Sequence, residues 1–199
     1  MEERRFTFAI DCDEVLRSLL GNMVSLYNEE FGENLQYDDV TDFVVENSFP
    51  KIQEVTGMTA SKWFFQDHSE ELFAKSDAFP GIKQDIETLQ QYGDVIIVTY
   101  QKSYQNKIDT LNWLEEHGLA PDGICFLKDK TLLHTTYLLD DNDWNFCGSN
   151  ADIGVLITAP YNVDKDINDI LETSNCKMMM RCNSLHDFVE EFVREEVRR

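Results

Sequence analysis

The chain has 199 residues, with 38 acidic against 17 basic side chains and a formal charge of −21. A field of that sign repels polyphosphate backbones and argues against polymeric nucleic acid as a partner, whereas a small anion can still bind where a metal and a well-placed cation invert the local potential. The length suits one compact domain with a small appendage, and no apolar run approaches the roughly 18 residues of a membrane-spanning helix.

The first residues, Met1 to Arg5, carry no apolar secretory stretch and lead into a strand-like run at 6–10. Residues 15–31 then pattern as an amphipathic helix stopped by Gly32, followed by a polar and aromatic stretch through Phe49 and Pro50 and a second helical pattern over 61–75. The next strand signal comes only at 95–99, a gap far longer than one crossover helix, so a small helical cap over residues 15–79 is expected directly after strand one. Helical patterns at 80–92, 103–117 and 184–197 are interleaved with apolar runs at 124–127, 137–139, 154–159 and 177–181. Near-continuous apolar strands alternating with helices predict an α/β fold, a Rossmann-like parallel sheet with crossover helices, whose core takes residues 1–14 and 80–199. Five cysteines (Cys12, Cys125, Cys147, Cys176, Cys182) form an odd set without zinc spacing, which favours reduced thiols and a cytoplasmic location.

In open α/β sheets the ligand sits outside the carboxyl ends of the strands. The first strand leads to Asp11-Cys12-Asp13, the second ends on Thr99, the third precedes Lys128-Asp129-Lys130, and the fourth leads to Asp140 and Asp141. Each residue alone has a plainer reading: Asp-x-Asp as a solvated loop, Thr99 as a strand-end hydroxyl, Lys130 as a surface charge. Four such clusters at successive strand ends point instead to phosphoryl chemistry. A carboxylate can attack a phosphate monoester only if a divalent cation and a lysine neutralise the phosphoryl oxygens. Asp11 is the expected nucleophile, and Asp13, two residues along an extended chain and on the same side, the expected general acid and base. Oxygen ligands from Asp11, the Asp13 carbonyl, Asp140 and Asp141 suit Mg²⁺. Thr99 and Lys130 would contact the phosphoryl oxygens.

In type, order and strand-end position these residues resemble the four motifs of haloacid dehalogenase (HAD) superfamily phosphatases. Within that superfamily, residues 11–15, 79–81, 128–131, 138–142 and 160–162 resemble the 5′(3′)-deoxyribonucleotidase family, and the likeness spans most of residues 6–162. The resemblance implies a HAD-type core, a helical cap with aromatic walls for the base, Mg²⁺ dependence, and hydrolysis of deoxyribo- or ribonucleoside monophosphates to nucleoside and phosphate. In that family the motif lysine stands ten residues before the acidic pair, as Lys130 does and Lys128 does not. Two positions depart from the pattern: Glu14 stands where many superfamily members have glycine, and Tyr100, carried over as a substrate-binding position, where related nucleotidases often have serine. In the cap, Phe43 and Phe49 are expected to face the base, while helical spacing favours packing for at least two of Trp63, Phe64 and Phe65. The rival readings are a phosphatase of another small phosphometabolite, such as a phosphosugar, and a non-catalytic nucleotide-binding module. The sequence leaves the oligomeric state open, with a homodimer among the options.

Overall fold

The computed structural model describes residues 6–198, so residues 1–5 and 199, at the outer ends of the predicted core spans, lie outside the described residues. Strands β1 (Phe6–Ile10), β2 (Gly93–Thr99), β3 (Gly123–Phe126), β4 (Tyr137–Asp140), β5 (Ile153–Ile157) and β6 (Met178–Cys182) form one sheet in the order β3-β2-β1-β4-β5-β6. Every pairing is parallel. The winding direction reverses between β1 and β4, and a sheet of this kind opens a crevice beyond the carboxyl ends at that point.

Between β1 and β2 the chain builds a helical insert: α1 (Leu19–Phe31), α2 (Val45–Ser48), α3 (Pro50–Thr56), α4 (Ala60–Lys62) and α5 (Ser69–Phe73). The insert buries its own apolar cluster, which includes Leu20, Met23, Tyr27, Ile52, Phe64 and Leu72. Its two connections run side by side, with Ser18 N–H donating to the Asp77 carbonyl and Phe79 N–H to the Leu16 carbonyl, each at 2.9 Å. Then come α6 (Ile82–Leu89), α7 (Tyr104–Glu116), α8 (Ile167–Thr173) and α9 (Leu185–Arg198). Phe8, Ile10, Val95, Ile97, Leu139 and Val155 pack with α6, α7 and α9 on one face, while Ala9, Val98, Leu138 and Leu156 pack with Phe146 and Ile170 of α8 on the other. Covering both faces explains why the central strands β1, β2, β4 and β5 read as unbroken apolar runs.

Two expectations change, and one helix was not anticipated. Helix α1 begins at Leu19 instead of residue 15, because residues 12–17 fold into a tight turn in which Glu14 takes φ 56°. The predicted helix over 61–75 is interrupted by a wide turn, Trp63–Asp67, closed by His68 N–H on the Trp63 carbonyl at 3.0 Å, and the turn lets the adjacent Trp63 and Phe64 both enter the insert core. Helix α8 carried no clear periodic signal because Ile170 is its single buried residue.

Candidate active site

Asp11 is the first residue after β1, and its N–H donates to the Leu139 carbonyl at 2.9 Å, which fixes it beside the end of β4. Lys130 lies in a turn between β3 and β4 and reaches back to the same place, its Nζ 2.8 Å from Asp11 Oδ1 and 2.5 Å from Asp140 Oδ2. Carboxylate oxygens of Asp11, Asp140 and Asp141 lie within 4.8 Å of one another, and all three residues are buried. Three carboxylates against one ammonium leave a surplus of negative charge where water is scarce. Burial, the largest influence, pushes Asp11 up to about 7 against the pull of Lys130, with Asp140 and Asp13 adding to the rise. Burial likewise lifts the Asp141 carboxyl well above its ordinary value, with Asp140 and Asp11 pressing the same way. At Lys130 burial alone would favour the neutral amine, but Asp11 and Asp140 hold the ammonium above its usual range.

The two members of the acidic pair are held differently. Asp140 accepts from Lys130 and from Asn145 Nδ2 at 2.9 Å, and its Oδ1 also accepts from Asn142 N–H at 2.9 Å, so its oxygens are already engaged. Asp141 accepts from the Tyr161 hydroxyl, and its carbonyl accepts from Asn162 Nδ2 at 2.6 Å. Asp11 and Asp141 are therefore the freer donors for a hard cation, and the oxygen-only character of the cluster fits one. Asp13 stands apart from this cluster: its Oδ1 pairs with Arg17 Nε at 2.7 Å and its Oδ2 accepts from Gln101 Nε2 at 3.0 Å. The same Gln101 nitrogen lies 3.3 Å from the hydroxyl of Thr99, which is buried at the end of β2.

The remaining predicted positions divide. Tyr100 is half exposed just beyond Thr99, and Phe43 is exposed on the insert with its ring edge-on to Tyr161 at 5.4 Å. Phe49 corrects the expectation that it faces a base: it is 1% exposed, packed edge-on against Tyr27 and Phe64. The irregular stretch that suggested a free ring ends at the first turn of α3, and that turn drives Phe49 into the insert core. Arg17 and Gln101 were not anticipated, and Tyr161 entered only within the 160–162 stretch of the family likeness, with no role given to it. A weak signal existed for two of them, since Arg17 interrupts an apolar stretch four residues after Asp13 and Gln101 follows Thr99 by the two-residue strand period.

Comparison with known proteins adds the family. Residues 5–181 match the model for the 5′ nucleotidase, deoxy (pyrimidine), cytosolic type C protein. A provisionally named 5′(3′)-deoxyribonucleotidase of Staphylococcus epidermidis is 26% identical over 168 residues, covering 81% of this chain and 87% of that one. A similarly named protein of Chlorobaculum tepidum is 22% identical over 163 residues, covering 73% and 74%. Among solved structures, the HAD-hydrolase YfnB of Bacillus subtilis, determined bound to magnesium, superposes with a TM-score of 0.58 at 14% identity over 94% of this chain and 98% of that one. A haloacid dehalogenase-like hydrolase of Streptococcus pneumoniae gives 0.56 at 16% identity, with 94% and 98% covered.

Proposed function

The chain belongs to the 5′ nucleotidase, deoxy (pyrimidine), cytosolic type C family, phosphoric monoester hydrolases on a HAD-type fold, and from that premise we propose that it hydrolyses deoxyribo- and ribonucleoside monophosphates through a phosphoryl group carried on Asp11. The observation that carries this reading is the buried set of Asp11, Asp140 and Asp141 around Lys130. Its surplus of two negative charges is what a divalent cation cancels. Asp11 and Asp141, with the Asp13 carbonyl, would hold Mg²⁺, which when bound supplies positive charge to the phosphoryl oxygens.

Lys130 occupies Asp11 Oδ1 and leaves Oδ2 for attack on phosphorus. As the Asp11–phosphorus bond forms, the ester P–O bond breaks and Asp13, entering the step in its acid form, passes its proton to the departing alkoxide and becomes the carboxylate. Asp13 then takes a proton from water as that water attacks phosphorus, releasing phosphate and restoring the Asp11 carboxylate. Asp140 keeps Lys130 in place, and Thr99 donates its hydroxyl to a phosphoryl oxygen. The insert over residues 15–79 acts as the cap, and Phe43, exposed beside Tyr161, offers a ring face to the base. The family, whose name carries the word cytosolic, fits work on small nucleotides, and among the described residues no helix is long and apolar enough to cross a membrane.

The test is phosphate release by the purified chain with Mg²⁺ across deoxy- and ribonucleoside monophosphates and a set of phosphosugars. Turnover of nucleotides, lost on chelation of Mg²⁺, is expected. Turnover of a phosphosugar with none of any nucleotide would contradict the substrate assignment.

A further inference from the structure

Arg17 lies outside the set of groups used above, yet it touches one of them. It is 0% exposed, and its three kinds of guanidinium nitrogen go to three separate segments. Nε donates to Asp13 Oδ1 at 2.7 Å in the turn after β1, Nη1 to the Phe73 carbonyl at 2.6 Å at the end of α5, and Nη2 to Thr110 Oγ1 at 3.1 Å on α7. The guanidinium carbon sits 5.0 Å from the Phe73 ring centre and 5.5 Å from that of Trp113. A buried cation is costly unless paired, and Asp13 is the carboxylate it pairs with.

Because the guanidinium is a rigid planar fork, fixing Nη1 and Nη2 against the insert and α7 also fixes where Nε points. Asp13 Oδ1 is thereby held on the side of Arg17. Its other oxygen is left next to Gln101 and Thr99, with Gln101 Nε2 at 3.0 Å from Oδ2 and 3.3 Å from the Thr99 hydroxyl. We propose that Arg17 and Gln101 are positioning residues that clamp Asp13 from both sides, so that Oδ2 is the oxygen that hands its proton to the leaving alkoxide, and that Arg17, through Phe73, ties this acid to the insert. The proposal rests on the reading of Asp13 as the general acid.

The clamp acts on proton delivery, so its loss must depend on how much the leaving group needs a proton. The first turnover of the full chain with Mg²⁺ is measured by rapid quench on a deoxyribonucleoside 5′-monophosphate, whose alkoxide needs protonation, and on 4-nitrophenyl phosphate, whose phenolate is stable as an anion. Arg17→Met is expected to slow nucleotide cleavage by about 100-fold, the lower end of what a general acid contributes. Its KM should be nearly unchanged, 4-nitrophenyl phosphate should be slowed far less, and Arg17→Lys should recover part of the loss. If Arg17→Met does not fold by circular dichroism, Gln101→Leu is read on the same pair of substrates. Equal losses on both substrates, or a rise in KM alone, would assign Arg17 and Gln101 to packing and overturn the proposal. Asp13→Asn serves as the comparator. If it is selective for the nucleotide while the clamp variants are not, the clamp fails and the acid stands; if Asp13→Asn shows no selectivity itself, the reading of Asp13 as the acid fails.

Discussion

Glu14 shows how one residue can break a local rule and be compensated nearby. A side chain at φ 56° costs about 1 kcal/mol against glycine. Here its carboxylate accepts from the Leu20 N–H at the start of α1 and from the Tyr37 hydroxyl at 2.7 Å, so the turn after β1 is tied to two parts of the insert. Burial, the largest influence, pushes the Glu14 carboxyl up to about 7 despite those two bonds. A folded-state value above the unfolded one means that the protonated side chain stabilises the fold at low pH, and that this contribution is lost as pH rises from about 4.5 through about 7. In metal-free buffer, urea unfolding should show Glu14→Gln losing less stability than the parent between about pH 5 and pH 8; parallel curves would contradict this. The strand-end positions of Asp11, Thr99, Asp140 and Asp141 were legible in the sequence because an apolar run that stops at a polar or charged residue marks its own carboxyl end, whereas Lys130 sits in the turn after β3 and was picked out by its spacing from the acidic pair. Arg17 was not legible, and the contact of Tyr161 was not although its stretch carried the family likeness, since both depend on segments far apart in the chain, as Arg17 with Thr110 and Tyr161 with Asp141 illustrate. Phe49 misled for the converse reason: a ring in an irregular stretch says nothing of which way the next helix will turn it.

Among the elements, the strands were legible to within a residue or two, the central ones because burial on both faces removes any alternation that could confuse them and the partly exposed edge strands β3 and β6 because they are still short apolar runs. Gly93 reads in sequence as a helix stop, but in the fold it is the first residue of β2, and a Cβ there would stand 2.1 Å from the Phe6 carbonyl oxygen. Backbone on both sides of that contact leaves no flexible atom to yield. Gly93→Ala is expected to lower stability by more than about 2 kcal/mol, read as a fall in the urea midpoint at unchanged slope. A loss under about 0.5 kcal/mol would mean that the β1–β2 register shifts more freely than the ladder implies. The insert was harder to read than the sheet, because short helices joined by a wide turn are shaped by the aromatic cluster they enclose and not by their own periodicity. That helices fill the stretch between the first two strands was legible from the length of that gap and the helical patterns within it; the break at Trp63–Asp67 was not.

At the scale of the molecule, a chain of charge −21 gathers three of its carboxylates in one buried cluster, beside the point where the sheet reverses. Without a cation, Asp11 and Asp141 bind protons more tightly folded than unfolded, so their stabilisation is present at low pH and is lost as pH rises through about 7 for Asp11. Mg²⁺ at the proposed site would compete with those protons, so on that proposal it should raise the melting temperature more at about pH 8 than at about pH 5. Asp11→Asn should shrink that increment, and an increment independent of pH would contradict the assigned site. Everything proposed for this enzyme depends on Asp11 carrying the phosphoryl group. The direct measurement is acid quench during turnover with a nucleoside monophosphate and Mg²⁺, followed by borohydride reduction and mass spectrometry of the peptide containing residue 11. An aspartyl-phosphate there is reduced to homoserine, so homoserine is expected at position 11 only when substrate and Mg²⁺ are both present. Phosphate release with Asp11 unmodified, or with another carboxylate reduced in its place, would contradict it.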